Sequence, residues 1–99
     1  MKYYHATTEE TAKQIMEDGQ IRIGLDGVVY LCDTPEDAAK FVAIRGCRKI
    51  YVIEVDLDET QAAKVEESFD HSEAFFKCKA YVYPESIPIS NPQIFKFIL

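Results

Sequence analysis

The stretch YYHATT at residues 3–8 runs directly into a helical pattern that ends at Gly19. A second stretch, VVYLC at residues 28–32, runs into another helix start. Each is an apolar strand that carries one polar group close to its helix, His5 in the first and Tyr30 in the second. Two such strand-to-helix junctions can face one cleft, so we expect the imidazole and the phenol to share a site.

Helix and strand signals around these junctions predict one α+β domain over residues 1–99. The first helix is predicted to have Thr7 as its N-cap and Glu10 as the capping-box partner. The second is predicted to begin at Thr34 and Pro35, with acidic residues in its first turn. The rest is predicted as a short strand at 21–23, a strand at 50–55, a turn at 56–60, a short helix at 61–66, an exposed loop at 66–73 and strands at 75–83 and 94–98.

The charge balance argues against a general nucleic-acid binder. The chain has 11 lysines and arginines against 17 acidic residues, a net charge of −6, whereas proteins that bind the phosphate backbone carry a basic footprint. A small basic patch at Arg45, Arg48 and Lys49 remains open. No apolar run reaches the roughly 18 residues of a membrane span, and we expect a cytoplasmic protein without a membrane partner.

The three cysteines, Cys32, Cys47 and Cys78, are widely spaced. An odd number without a CxxC pair argues against a disulfide framework and a structural zinc site. We expect buried free thiols and no bound metal.

Taken one by one, the polar residues have ordinary structural interpretations. His5 alone is typical of a core histidine with one hydrogen-bonded nitrogen, and Tyr30 alone is typical of a core aromatic residue. Arg45 lies at a predicted helix C-terminus, where a cation interacts favourably with the helix dipole.

Taken in order along the chain, the same residues resemble the ADP-ribosyltransferase superfamily. YHAT at 4–7 is similar to its HGT-type opening, and VYL at 29–31 followed by TPEDAA at 34–39 is similar to its second motif. AIRG at 43–46 and the late strand YVYPESIP at 81–88 resemble the NAD-binding lobe of the RNA 2′-phosphotransferases. The resemblance implies a split, mostly antiparallel sheet flanked by two short helices.

The resemblance also implies that NAD is the substrate and that its site lies between the two junctions. His5 would hydrogen-bond a ribose with help from Thr7, Tyr30 would stack near the nicotinamide ring, and Arg45 would meet a phosphate. His5 and Tyr30 would take part in catalysis. The implied NAD-contacting residues are His5, Ala6, Thr7, Tyr30, Leu31 and Arg45.

Two positions depart from the family pattern. Ala6 replaces a glycine, which makes close backbone approach to a ligand harder. The expected glutamate would fall near residues 78–80, which read CKA, so Glu85 or Glu73 would have to serve as the acid. The sequence therefore leaves three hypotheses: an enzyme that cleaves NAD and transfers ADP-ribose to a protein, nucleic acid or small acceptor; a catalytically inactive binding module of the same fold; and an α+β protein in which His5 and Tyr30 are core residues.

Overall fold

A computed structural model describes residues 1–68 and 80–99 of the chain. The elements, in order, are β1 (Lys2–Thr8), α1 (Glu9–Asp18), β2 (Gln20–Ile21), β3 (Val29–Cys32), α2 (Pro35–Ala43), β4 (Lys49–Asp56), α3 (Glu59–Ala62), β5 (Glu66–Ser68), β6 (Ala80–Tyr83), β7 (Ile87–Pro88) and β8 (Ile94–Ile98).

The strands form two sheets. Six of them make one sheet in the order β5-β6-β3-β1-β4-β8, and β2 pairs with β7 in a second, two-stranded sheet. Every pairing among the described strands is antiparallel. The predicted α+β class and mostly antiparallel sheet are confirmed, with three short helices where the sequence led us to expect two flanking the sheet.

The large sheet is strongly paired on one side of β1 and barely paired on the other. On the β4 side the ladder runs without a break from Lys2 opposite Asp56 to Thr8 opposite Ile50. On the β3 side the only pair is Tyr4 opposite Cys32. The sheet is therefore split beside β1, just after Tyr4.

Strand β4 holds the fold together because both of its faces are buried. Successive side chains of a strand point to opposite faces. Ile53 packs in one core cluster with Ile15 of α1, and Val52 packs in the other with Ala38 of α2. This two-sided burial explains why β4 reads as a nearly continuous apolar run.

The start of α1 lies one residue later than predicted. The hydroxyl of Thr8, not Thr7, accepts a hydrogen bond from the Thr11 amide at 3.2 Å. Thr7 is still held in the ladder between β1 and β4, which extends to the pair of Thr8 with Ile50. The capping box assigned to Thr7 and Glu10 is wrong because the pairing with β4 continues to Thr8, which therefore stays extended and is not the first helical residue.

The predicted start of α2 is confirmed, whereas the helix ends before Gly46, the residue at which its sequence pattern predicts the end. Thr34 caps the helix by accepting from the Asp37 amide at 3.1 Å, and Pro35 occupies the first turn. The helix ends at Ala43, and the chain turns out through Gly46, whose φ is 89°. The end predicted for α1 is confirmed, since Gly19 adopts the left-handed conformation with φ of 71°.

The segments between β4 and β6 differ from their predictions. Asp58 and Gln61 form a capping box that starts α3 at Glu59, so the helix placed at 61–66 begins and ends too late. Part of the predicted loop, Glu66–Ser68, is strand β5 and pairs with β6. Residues 69–73 of that loop and 75–79 of the predicted strand lie outside the described residues.

Two further expectations concern thiols and membranes. Cys32 is buried and Cys47 is partly buried, and both are free thiols, whereas Cys78 lies outside the described residues. Within residues 1–68 and 80–99, no helix has both the length and the apolar character needed to cross a bilayer.

The two-sided packing of β4 predicts a large stability cost for truncating Ile53. Its side chain is fully buried, and Ile→Ala changes at such sites cost about 2–5 kcal/mol of unfolding free energy. Ile23→Ala is the matched control because Ile23 is 45% exposed, and its cost should stay below about 1 kcal/mol. Urea unfolding measures both free energies, and equal losses would contradict the packing described here.

Candidate functional site

The side chain of His5 links β1 and β3 where their backbone pairing has stopped. Its Nδ1 lies 2.9 Å from the backbone oxygen of Tyr30. A carbonyl oxygen can only accept, so Nδ1 carries the proton and donates. In the neutral ring, Nε2 is then an acceptor, and no described residue hydrogen-bonds to it. One imidazole nitrogen therefore bridges the two strands, and the other has no hydrogen-bond partner among the described residues.

His5 is held in its neutral form. Burial lowers the pKa of its imidazole, and the hydrogen bond to the Tyr30 backbone opposes that shift only in part. An ordinary histidine has a pKa near 6.5, so lowering it leaves the ring uncharged at pH 7. A neutral ring keeps the lone pair of Nε2 that a hydroxyl donor would need.

A pocket of about 210 Å³ opens at the split in the sheet. Strands β1 and β3 form its floor, and α2 contributes Ala38, Phe41 and Val42. All six residues that the sequence assigned to NAD contact line this one pocket, namely His5, Ala6, Thr7, Tyr30, Leu31 and Arg45. Residues from three separate stretches of the chain, 5–7, 30–31 and 45, therefore lie around one pocket.

A second pocket of about 470 Å³ adjoins the first. The two share Ala6, Thr7, Val42 and Arg45. The second pocket is also lined by Thr8, the N-cap of α1, and Arg45 borders both pockets. The two adjoining pockets are together called the groove.

The guanidinium of Arg45 is exposed at this shared border. It forms no hydrogen bond or ion pair with any residue in the described part of the chain. Most other lysines and arginines among the described residues form an ion pair with an acidic side chain. Lys49 Nζ, for example, lies 3.2 Å from Glu9 Oε2. A guanidinium that has no protein partner and lies beside a groove offers a planar set of N–H donors, which suits an anionic ligand group.

Tyr30 forms hydrogen bonds through both its backbone oxygen and its hydroxyl. Its backbone oxygen accepts from His5, and its hydroxyl donates to the carboxylate of Asp26. Sequence reasoning did not single out Asp26, which lies in the turn that precedes β3. The available signal was its position four residues before Tyr30, across a tight glycine-containing turn.

The acid predicted from the sequence lies elsewhere. Glu85 does not line the pocket, and its carboxylate accepts from Lys64 Nζ at 2.9 Å. That ion pair raises the pKa of Lys64. Glu73, the other candidate, lies outside the described residues. Among the described residues that line the 210 Å³ pocket, none is a glutamate or an aspartate.

Comparisons with protein-family models, curated proteins and solved structures found no match to this chain. The resemblance to the ADP-ribosyltransferases therefore stays a prediction.

The neutral state of His5 predicts a specific pH dependence of stability. Below about pH 6.5 the unfolded chain protonates His5 while the folded chain resists it, so the free energy of unfolding falls as the pH falls. His5→Asn retains a donor for the Tyr30 carbonyl but cannot titrate. Between pH 7.5 and pH 5.5 the wild type should lose more stability than this variant, as measured by urea unfolding. Parallel curves for the two proteins would show that His5 is not held neutral.

Proposed function

We propose that the chain binds NAD along the groove at the split, cleaves the nicotinamide–ribose bond and transfers ADP-ribose to an acceptor. The acceptor would be a protein, a nucleic acid or a small molecule. An ADP-ribosyltransferase-like fold and a cytoplasmic location belong to the same proposal, the latter because the described thiols are free. The observation that carries it is the convergence of the six predicted NAD-contacting residues on one pocket.

The size and shape of the groove suit a dinucleotide. Pockets that enclose a whole small ligand measure about 300–1,000 Å³, so the 210 Å³ pocket accommodates one end of NAD. Tyr30 and Phe41 make this end aromatic, as a nicotinamide ring requires. The adjoining 470 Å³ pocket takes the remainder of the molecule.

The polar groups are placed for the central part of NAD. Nε2 of His5 accepts a hydrogen bond from a ribose hydroxyl, since Nδ1 is already committed to Tyr30. Arg45 borders both pockets, which is where the pyrophosphate of a ligand spanning them would lie. Charge-assisted bonds from arginine to phosphate are stronger than neutral ones and are often bidentate.

The charge state of His5 also suits the reaction. NAD carries a positive nicotinamide ring, and positive charge develops on the ribose as that ring leaves. A protonated imidazole in the pocket would repel both. The lowered pKa of His5 avoids this repulsion.

A catalytically inactive binding module is the second candidate. The observation that favours it is the lack of a carboxylate among the described residues that line the pocket. Such a module would bind NAD in the same groove without releasing nicotinamide.

Isothermal titration with NAD tests the binding part of the proposal. Wild type should bind, and His5→Ala and Arg45→Ala should each weaken binding about tenfold or more, equivalent to about 1.4 kcal/mol. Arg22→Ala is the matched control, because Arg22 is paired with Asp18 at 3.0 Å and does not line the groove. An NAD affinity that His5→Ala leaves unchanged would show that the site lies elsewhere, and no binding by wild type would remove the proposal.

Nicotinamide release separates the enzyme from the binding module. The wild-type protein is incubated with NAD, and free nicotinamide is quantified by chromatography. If the chain is an enzyme, the wild-type protein should release more nicotinamide than the His5→Ala variant does. Binding without release identifies the module.

A further inference from the structure

A reaction that builds positive charge on a ribose is favoured by a nearby carboxylate. Two tyrosines that line the pocket each donate a hydrogen bond to a carboxylate. Tyr4 donates to Glu54 at 3.1 Å, and Tyr30 donates to Asp26. Lys2 lies 3.8 Å from Glu54 and partly offsets its charge. Asp26 is exposed and forms no ion pair with any residue in the described ranges.

The turn before β3 holds the Asp26 carboxylate in place. Gly27 donates to the Gly24 oxygen and Gly24 donates to the Val28 oxygen, each at 3.0 Å. A Cβ on Gly24 would lie 3.2 Å from Asp26 Oδ1, closer than most such contacts. Gly27 has φ of 80°, which an L side chain rarely adopts. The two glycines thus permit a tight turn whose aspartate reaches the hydroxyl of Tyr30.

We propose that Asp26 is the positioning residue for NAD cleavage, acting through the hydroxyl of Tyr30. This inference rests on the proposed function and supplies the acid that the lining of the pocket lacks. By accepting the Tyr30 proton in a hydrogen bond, the ionised carboxylate orients the phenol and increases the electron density on its oxygen. Tyr30 also accepts the His5 Nδ1 hydrogen bond at its backbone oxygen, so hydrogen bonds link both His5 and Asp26 to this one residue.

When water is the acceptor, the step that the Tyr30–Asp26 pair assists is the hydrolysis of NAD. The bond between ribose C1′ and the nicotinamide nitrogen breaks, and its electron pair stays on the nitrogen. The water oxygen forms the new bond to C1′ and releases one proton. NAD and water thus give nicotinamide, ADP-ribose and a proton, and the Tyr30–Asp26 pair stabilises the positive charge that C1′ carries between the two events.

The test compares nicotinamide release at saturating NAD with NAD affinity. Asp26→Asn and Tyr30→Phe should each lower the turnover rate about tenfold or more, with NAD affinity within about twofold of wild type. Because the pair acts as one unit, the double variant should be no slower than the slower single variant. Asp18→Asn is the matched control: its carboxylate also accepts one side-chain bond, from Arg22 at 3.0 Å, and its turnover should equal that of wild type.

A second variant moves the carboxylate without removing its charge. Gly24→Ala crowds Asp26 and should lower turnover while NAD affinity is retained. Thermal unfolding of every variant confirms that it is folded at the assay temperature.

Three outcomes overturn the inference. Wild-type turnover that persists in Asp26→Asn overturns it and leaves the proposed function standing. A loss of NAD affinity equal to the loss of turnover also overturns it, because Asp26 would then shape binding. NAD binding by wild type without nicotinamide release overturns both the inference and the enzymatic part of the proposed function.

Discussion

The hydrogen bond from His5 Nδ1 to the Tyr30 backbone oxygen is the contact on which the site depends. β1 and β3 pair at one position only, and without the imidazole the part-buried backbone oxygen of Tyr30 would lack its hydrogen-bond donor from β1. The imidazole spans a gap that a backbone amide does not bridge. It thereby keeps the sheet continuous while leaving space between the strands.

The rest of the fold makes this gap tolerable. β1 is fully paired with β4 on its other side, and β4 is packed on both faces, against α1 through Ile53 and against α2 through Val52. With β1 held rigidly from that side, the split toward β3 becomes a shaped pocket rather than a weak point. α2 then covers the opening and ends where Arg45 can reach the border of the groove. Binding groups are best held on such rigid elements.

Several of these features were predictable from the sequence, for local reasons. The Thr34–Pro35 helix start, the Gly19 helix end and strand β4 are specified by residues next to one another in the chain. The one-residue error at Thr7 arose because the ladder with β4, a long-range contact, continues to Thr8 and keeps that residue extended. The grouping of His5, Tyr30 and Arg45 came from the order of motifs. Asp26 was missed because a side-chain bond across a turn leaves no periodic signal, and the position of Glu85 depends on its pairing with Lys64, which lies 21 residues away in the chain.

The most direct test of these conclusions is the nitrogen NMR spectrum of the His5 ring, recorded with and without NAD and assigned by its absence in His5→Asn. We predict a neutral ring protonated on Nδ1 in the free protein. Addition of NAD should shift the Nε2 resonance in the direction expected of a nitrogen that gains a hydrogen bond, while Nδ1 stays protonated. A ring protonated on Nε2 would contradict the role of His5 in joining the strands, and a spectrum that NAD leaves unchanged would contradict its role in the pocket.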